Sequence, residues 1–135
     1  MPTNYLALDV GRARIGVAAA NSIARIAAPL PALSNDEQLL EHLQALITEL
    51  QASVLIVGWP RNLSGQETEQ TQYVADFVER IKPITTIPIE LQDEAATSLK
   101  AEAELKARGK AYEKGDIDSL SAVYILEDFL AEGVH

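Results

Sequence analysis

Residues 6–18 read LALDVGRARIGVA: an apolar strand that ends in a carboxylate, a glycine turn with two arginines, and a second apolar strand. We expect the first strand over residues 4–9 and the second over residues 14–20, joined as a hairpin. A charge inside an otherwise apolar strand is costly unless a partner stabilises it, and metal ions and phosphates are common partners. Asp9 is therefore the first candidate site residue.

The rest of the chain alternates between strand and helix patterns. A short continuous apolar run, such as residues 54–57, is typical of a parallel strand covered on both faces. Together the patterns give the order β-β-β-α-β-α-β-α-α, which predicts an α/β fold with a mixed sheet of five strands and helices on both faces. The remaining expected elements are strands over 24–28 and 87–91 and helices over 74–81 and 97–108.

Two further helix starts are predicted from capping signals. Ser34 is followed three residues later by Glu37, which is the pattern of a capping box, and an apolar helix face follows. Asp116 precedes a strongly apolar segment and is expected to cap the last helix.

Size and composition indicate a single domain over residues 1–135. The absence of cysteine excludes disulfides and cysteine-ligated metal sites, and it suits a reducing cytosol. We see no secretory signal and no apolar run long enough to cross a bilayer, so we expect a cytoplasmic protein without a membrane partner. The net charge of −9 argues against tight nonspecific binding to DNA or RNA, although a small basic patch remains compatible with it.

Polar side chains gather where the expected strands end and where the last helix begins. Open α/β sheets bind ligands beyond the carboxyl ends of their strands. These residues are Asp9, Arg61, Asn62, Asp93, Glu94 and Asp118. Carboxylate oxygens suit Mg²⁺ or Mn²⁺. A carboxylate cluster that holds two such ions can catalyse the cleavage of phosphodiester bonds. The pattern therefore favours a metal-dependent nuclease.

Four segments in this order resemble the RuvX/YqgF family of bacterial RNase H-like proteins. They are LALDVGRARIGVA, VGWPRNLSGQETEQTQ, LQDEA and KGDIDSLSAVYILEDFL. The resemblance covers nearly the whole chain. It implies an RNase H-like fold and a carboxylate-dependent nuclease that uses a divalent metal. It also implies a cytoplasmic role in processing the 5′ end of pre-16S rRNA, and members of the family have also been called Holliday-junction resolvases.

Matching positions one by one, the resemblance implies catalytic roles for three acidic residues. These are Asp9, Glu94 and Asp118, and Asp93 joins them in the set expected to bind metal. The family's arginine after the acidic pair is Ala95 here, and this departure removes a phosphate contact.

Four other residues are expected to contact nucleic acid, namely Arg12, Arg14, Arg61 and Asn62. Alternation along the hairpin predicts that Arg12 and Arg14 lie on the same side of it. Arg12, Arg14 and Arg61 could partly substitute for the phosphate contact that Ala95 removes.

Simpler roles remain open for several of these residues. Asp9 could cap the glycine turn, and Asp118 could complement the helix dipole. Trp59 could stack on a base or pack as a partly buried aromatic.

Several functions also remain open. A resolvase of four-way DNA junctions would need a stable twofold dimer, whereas the nuclease could be a monomer or a weak homodimer. The turn after Asp9 also resembles the phosphate loop of actin-like ATPases, which need a second domain. Finally, Ala95 leaves room for a non-catalytic RNA-binding module of ribosome assembly.

Overall fold

The computed structural model describes residues 2–61, 66–94 and 97–132. Within these residues the chain forms five strands and four α-helices in the predicted order. The strands are β1 (Asn4–Val10), β2 (Arg14–Asn21), β3 (Ala28–Ser34), β4 (Val54–Pro60) and β5 (Ile89–Glu94). The helices are α1 (Leu39–Glu49), α2 (Glu69–Ile81), α3 (Thr97–Arg108) and α4 (Lys114–Ala131), and a 3-10 turn, Lys82–Ile84, follows α2.

The five strands form one mixed sheet in the order β3-β2-β1-β4-β5. Strand β2 pairs antiparallel with both β1 and β3. Strand β4 pairs parallel with β1, and β5 pairs parallel with β4. A tight turn reverses the chain direction, whereas a helical crossover restores it, so the hairpins build the antiparallel half and the strand–helix units build the parallel half. The predicted mixed sheet is confirmed.

Successive side chains of β1 enter two different hydrophobic cores. Leu6 and Leu8 pack with the apolar faces of α1 and α2, whereas Tyr5 and Ala7 pack with α3 and α4. The helices therefore cover both faces of the sheet, as predicted. By the same alternation, Asp9 lies on the face that α4 covers.

The predicted third strand and the predicted first helix cap are both misplaced, and sheet pairing explains why. Strand β3 runs from Ala28 to Ser34 rather than over residues 24–28. Ser34 pairs with Arg14 of β2, so it ends a strand and does not cap a helix. Helix α1 begins later, at Leu39, after Gln38. The prolines within β3 are tolerated because this strand lies at the edge of the sheet.

Helix α4 and strand β5 also differ from the predicted boundaries. The N-cap of α4 is Glu113, and its backbone N–H donates to Asp116 Oδ2 at 2.8 Å. Asp116 therefore lies inside the first turn and is not the cap. Strand β5 extends to Glu94, so Asp93 and Glu94 end the strand instead of following it. In the described ranges, no helix has the length and hydropathy needed to cross a bilayer.

Candidate active site

Asp9 lies near the end of β1, directly opposite Gly16 in the β1–β2 ladder. Its side chain is partly buried on the α4 face of the sheet. Burial, followed by the nearby charge of Asp118, raises the pKa of the Asp9 carboxyl to about 7. A carboxylate is therefore held in a position where its charge is poorly solvated.

The start of α4 is fixed against β2, and this contact brings Asp118 to Asp9. A Cβ atom on Gly16 would come within 1.9 Å of the Asp118 carbonyl oxygen, so only glycine permits the approach. The Ser119 hydroxyl donates to the Leu30 carbonyl at 2.7 Å and accepts from the Val17 N–H at 3.3 Å. These contacts hold the first turns of α4 above the residue that pairs with Asp9.

Arg14 provides the positive charge closest to this carboxylate pair. Its Nε donates to Asp118 Oδ2 at 2.7 Å, and both side chains retain some exposure to solvent. The structure therefore brings together three of the predicted site residues. Asp9 and Asp118 repel each other, and Arg14 partly compensates for the charge of Asp118.

Glu94 lies in a second acidic pair. It ends β5 beside Pro60 of β4, and its Oε1 is buried without a hydrogen-bond partner in the described part of the chain. Burial, followed by a hydrogen bond and charge repulsion from Asp128, raises the pKa of Glu94 to about 8, although the nearby charge of Lys100 opposes the rise. Asp128 is about 15 Å along α4 from Asp118, from the rise of 1.5 Å per residue. Glu94 is therefore placed apart from the Asp9–Asp118 pair.

Asp93 points to the opposite face of β5, as alternation along a strand requires. Its Oδ1 lies 3.3 Å from Arg61 Nε, and Arg61 Nη2 lies 3.9 Å from Glu67 Oε2. Asp93 and Arg61 thus form an exposed ion pair on the α2 side of the sheet. Asn62 lies outside the described residues.

The candidate carboxylates in the described residues form pairs and not one larger cluster. In residues 2–61, 66–94 and 97–132, no group of three or more Asp, Glu, His or Cys side chains is arranged to hold a metal ion. Strand β4 separates β1 from β5, which corresponds to about 10 Å across the sheet. The Asp9–Asp118 pair still fits Mg²⁺ or Mn²⁺ chemically, because Mg²⁺ is commonly bound by one or two carboxylates together with water and substrate phosphates.

Arg12 and Arg14 lie on opposite sides of the hairpin, so the predicted shared side is wrong. Arg14 reaches α4, whereas the Arg12 guanidinium stacks over the Tyr73 ring of α2, 4.4 Å from its centroid. The alternation rule fails here because Arg12 belongs to the turn between β1 and β2 and not to either strand.

Tyr73 and Asn35 contact the turn between β1 and β2, and the sequence pattern does not identify either residue as part of this region. The Asn35 amide Nδ2 donates at 2.8 Å to the Tyr73 hydroxyl and at 2.8 Å to the Gly11 carbonyl. This amide ties the stacked pair to the glycine turn. Tyr73 precedes a core position of α2, and nothing in the helical pattern distinguishes it from a packing residue.

Comparison with known proteins identifies one family and one fold for this chain. The profile of the RuvX family, described as a Holliday junction resolvase, matches residues 3–132. A protein of Sulfurihydrogenibium sp. named "Putative pre-16S rRNA nuclease" is 41% identical over 130 residues, which is 95% of this chain and 90% of that protein. A protein of Haemophilus ducreyi with the same name is 37% identical over 133 residues, 96% of each chain.

Two solved structures share the architecture at low sequence identity. RuvC of Thermus thermophilus in complex with a Holliday junction substrate matches with a TM-score of 0.61 at 11% identity, covering 98% of this chain and 97% of that one. Another Thermus thermophilus RuvC structure matches with a TM-score of 0.54 at 12% identity, covering 96% of each chain. These matches confirm the predicted RNase H-like fold. The profile match and the identities to its relatives establish that the chain belongs to the RuvX family.

Proposed function

We propose that this chain is a nuclease that cleaves precursor 16S rRNA with the help of Mg²⁺ or Mn²⁺ held by Asp9 and Asp118. One observation carries the proposal: α4 is fixed on Gly16, so that Asp118 is placed beside the buried strand carboxylate Asp9. Membership of the RuvX family and the names of the relatives support the same reaction class. The role belongs to ribosome biogenesis, and the proposal therefore includes a cytoplasmic location.

The two carboxylates create a site of high negative potential at the end of β1. When bound, a divalent cation supplies electrostatic stabilisation of a reacting phosphate. The raised pKa of Asp9 shows that its ionised form lacks sufficient stabilisation within the protein itself. A cation would favour that ionised form and would relieve the repulsion between Asp9 and Asp118.

Arginines at the same edge of the sheet as the pair would orient the nucleic acid. Arg12 is exposed and stacks on a neutral ring, so no acidic partner in the described residues offsets its charge. Arg14 and Arg61 are each paired with carboxylates and would have to exchange these partners for phosphate oxygens. We propose Arg12 as the main phosphate contact, with Arg14, Arg61 and Asn62 as further contacts.

The second acidic pair extends the proposed catalytic surface across the sheet. Glu94 has a buried, unpartnered oxygen, and it lies on the same face of the sheet as Asp9. We propose Glu94 as a third catalytic carboxylate and Asp93 as a peripheral member of the cation-binding set. Glu94→Gln is then expected to lower cleavage strongly, and Asp93→Asn only weakly.

Cleavage of four-way DNA junctions is the second candidate, favoured by the description of the family profile. Symmetric cleavage of a junction requires two active sites related by a twofold axis, and hence a dimer. Cleavage of precursor rRNA requires only a monomer or a weak homodimer. The oligomeric state at the enzyme concentration used in the assay therefore separates the candidates.

The test compares substrates side by side in Mn²⁺. Precursor 16S rRNA, a single-stranded oligonucleotide and a synthetic four-way junction are each incubated with the wild-type chain, with Asp9→Asn and with Asp76→Asn. Asp76 is an exposed α2 residue, so its variant matches the charge change of Asp9→Asn away from the site.

We expect cleavage near the 5′ end of 16S rRNA by the wild-type chain and by Asp76→Asn, and none by Asp9→Asn. Preferred cleavage of the junction by a stable dimer would favour the second candidate. Equal cleavage by Asp9→Asn would exclude the proposed site.

A further inference from the structure

Helix α4 crosses the sheet above Asp9. At its start, the Asp118 carbonyl oxygen lies against Gly16 of β2, and two turns later the Ile125 side chain lies against Gly58 of β4. Strand β1 runs between β2 and β4, and Asp9 pairs with Gly16. The turn of α4 that contains Ser121 therefore passes over β1 at the level of Asp9.

The direction of the Ser121 side chain follows from its neighbours on the same stripe of α4. Residues seven apart in a helix lie on the same stripe, so Ser121 shares a stripe with Asp128. Asp128 faces Glu94, near the end of the sheet where β1 also ends at Val10. The neighbouring stripe, through Phe129, faces the other end of β1, since the ring centroids of Phe129 and Tyr5 are 6.1 Å apart. Ser121 therefore points toward the end of β1 that carries Asp9.

Ser121 is fully buried, and its Oγ has no hydrogen-bond partner in the described residues. Buried polar groups are normally paired, so an unpaired one calls for an explanation. Ser119, two residues earlier, shows the ordinary arrangement, because its hydroxyl is buried and makes two hydrogen bonds. If the Ser121 hydroxyl served only packing, an alanine at this position would lose no hydrogen bond.

We infer that Ser121 is a positioning residue for the Asp9–Asp118 pair. When Mg²⁺ or Mn²⁺ is bound, the Ser121 hydroxyl donates a hydrogen bond to one oxygen of the Asp9 carboxylate. This bond fixes the direction in which the other Asp9 oxygen faces the cation. The inference rests on the proposed function, because it assigns Ser121 to the same site. Outer groups that orient a metal-binding carboxylate typically change metal affinity or activity by about 10- to 100-fold.

Four proteins test the inference: the wild type, Ser121→Ala, Ser121→Cys and the control Ser22→Ala, which lies near the start of β1, away from Asp9. Melting temperature is measured in EDTA and then as a function of Mn²⁺ concentration, and kcat and KM are measured on precursor 16S rRNA. We expect Ser121→Ala to melt no lower than the wild type in EDTA. It should need about 10-fold more Mn²⁺ for half-maximal stabilisation and should lose about 10-fold or more in kcat with KM unchanged.

The two other variants separate positioning from packing. Ser121→Cys keeps the shape of the side chain with a slightly larger atom and a weaker donor, so its kcat should fall between those of the wild type and Ser121→Ala. Ser22→Ala loses the hydrogen bond that its hydroxyl accepts from the Thr3 N–H at 2.8 Å, and it should melt lower in EDTA. It should keep the wild-type Mn²⁺ midpoint and the wild-type kcat well below its melting temperature.

Failure of the inference is distinguishable from failure of the proposed function. If the wild type cleaves RNA and Ser121→Ala matches its kcat and Mn²⁺ midpoint, the inference is overturned and the function stands. If Ser121→Ala melts lower, as Ser22→Ala does, with an unchanged Mn²⁺ midpoint, Ser121 is a packing residue. If the wild type cleaves nothing, the proposed function fails, and the Mn²⁺ midpoint of Ser121→Ala alone decides the role of Ser121.

Discussion

The carbonyl oxygen of Asp118 lies directly against Gly16, at a distance that no side chain on β2 could accommodate. A Cβ atom on Gly16 would be 1.9 Å from that oxygen and 2.8 Å from the Ser119 nitrogen. Both are backbone atoms, so no side-chain rotation can relieve the overlap. The contact brings the start of α4 onto the strand that pairs with Asp9, and it therefore makes the geometry of the proposed site depend on a glycine.

Gly16→Ala is expected to destabilise the protein and to abolish cleavage. The added methyl group must push α4 away from β2, at a cost of about 1–3 kcal/mol or more for overpacking, and it moves Asp118 away from Asp9. Urea denaturation and the Mn²⁺-dependent cleavage assay check both effects. Gly115→Ala is the matched control on α4, because a Cβ there would meet only the Ala32 side chain at 3.4 Å. Wild-type stability and activity of Gly16→Ala would contradict the role of this contact.

Asp9→Asn is expected to stabilise the cation-free protein above neutral pH. An aspartate in an unfolded chain has a pKa of about 3.9, whereas burial and Asp118 raise the pKa of folded Asp9 to about 7. Between these values the folded protein binds a proton that the unfolded chain has released, so the free energy of unfolding falls as pH rises from about 4 to 7. Asparagine stays neutral and should restore up to about 4 kcal/mol at pH 8.

Urea denaturation at pH 5 and pH 8 in EDTA measures this difference. Asp76→Asn, at an exposed position of α2, should show the wild-type pH dependence. Added Mn²⁺ should stabilise the wild type and Asp76→Asn but not Asp9→Asn. A lower stability of Asp9→Asn at pH 8 in EDTA would show that burial of this charge is not destabilising.

Asp128→Asn should stabilise the protein in alkaline solution by acting on Glu94. Burial, followed by the hydrogen bond and charge of Asp128, raises the pKa of Glu94 to about 8, so stability is lost as pH rises from about 4.5 toward 8. Removing the charge of Asp128 lowers the pKa of Glu94 and should recover about 1 kcal/mol at pH 9 but little at pH 5. Denaturation at the two pH values tests this, with the exposed Glu127→Gln as the charge-matched control on α4.

The sequence predicts the fold well because the fold depends on patterns that each segment carries locally. The alternation around Asp9 and the apolar run at 54–57 identify β1 and β4, and their connections give the mixed sheet. The approach of Asp118 to Asp9 follows as well, since strand and helix ends meet at one edge of such a sheet.

The sequence does not reveal how far each strand extends or where α4 crosses the sheet. Whether Glu94 faces Asp9 or Asp128 depends on the pairing of β5 with β4 and on the angle of α4, and both are set by long-range packing. The stacking of Arg12 on Tyr73 likewise depends on a turn whose side chains follow no strand alternation. Local patterns carry no information on these contacts, because the residues involved are far apart in the chain.

Tyr73→Leu is expected to weaken substrate binding more than turnover. The Tyr73 ring holds the Arg12 guanidinium in the turn that follows β1, and an exposed interaction of this kind is worth about 0.5–1 kcal/mol, so KM should rise about 2- to 5-fold with kcat nearly unchanged. Arg12→Ala, which also removes the charge, should raise KM further. Arg80→Ala is the control, since Arg80 stacks on Phe77 at 5.9 Å near the other end of α2. A similar rise of KM in Arg80→Ala would indicate a general effect of charge.

Arg14→Gln should change cation binding and nucleic-acid binding in opposite directions. In the structure, Arg14 Nε donates a hydrogen bond to Asp118 Oδ2 at 2.7 Å, so a divalent cation must compete with the guanidinium for this oxygen. Without that competitor, Mn²⁺ should stabilise the nucleic-acid-free protein at a lower concentration than in the wild type. With precursor rRNA, however, KM should rise, because the arginine that Asp118 releases is then missing as a phosphate contact. Melting curves at increasing Mn²⁺ and steady-state cleavage measure the two effects. If both Mn²⁺ binding and RNA binding weaken, Arg14 serves to support the position of Asp118 and does not exchange between Asp118 and the substrate.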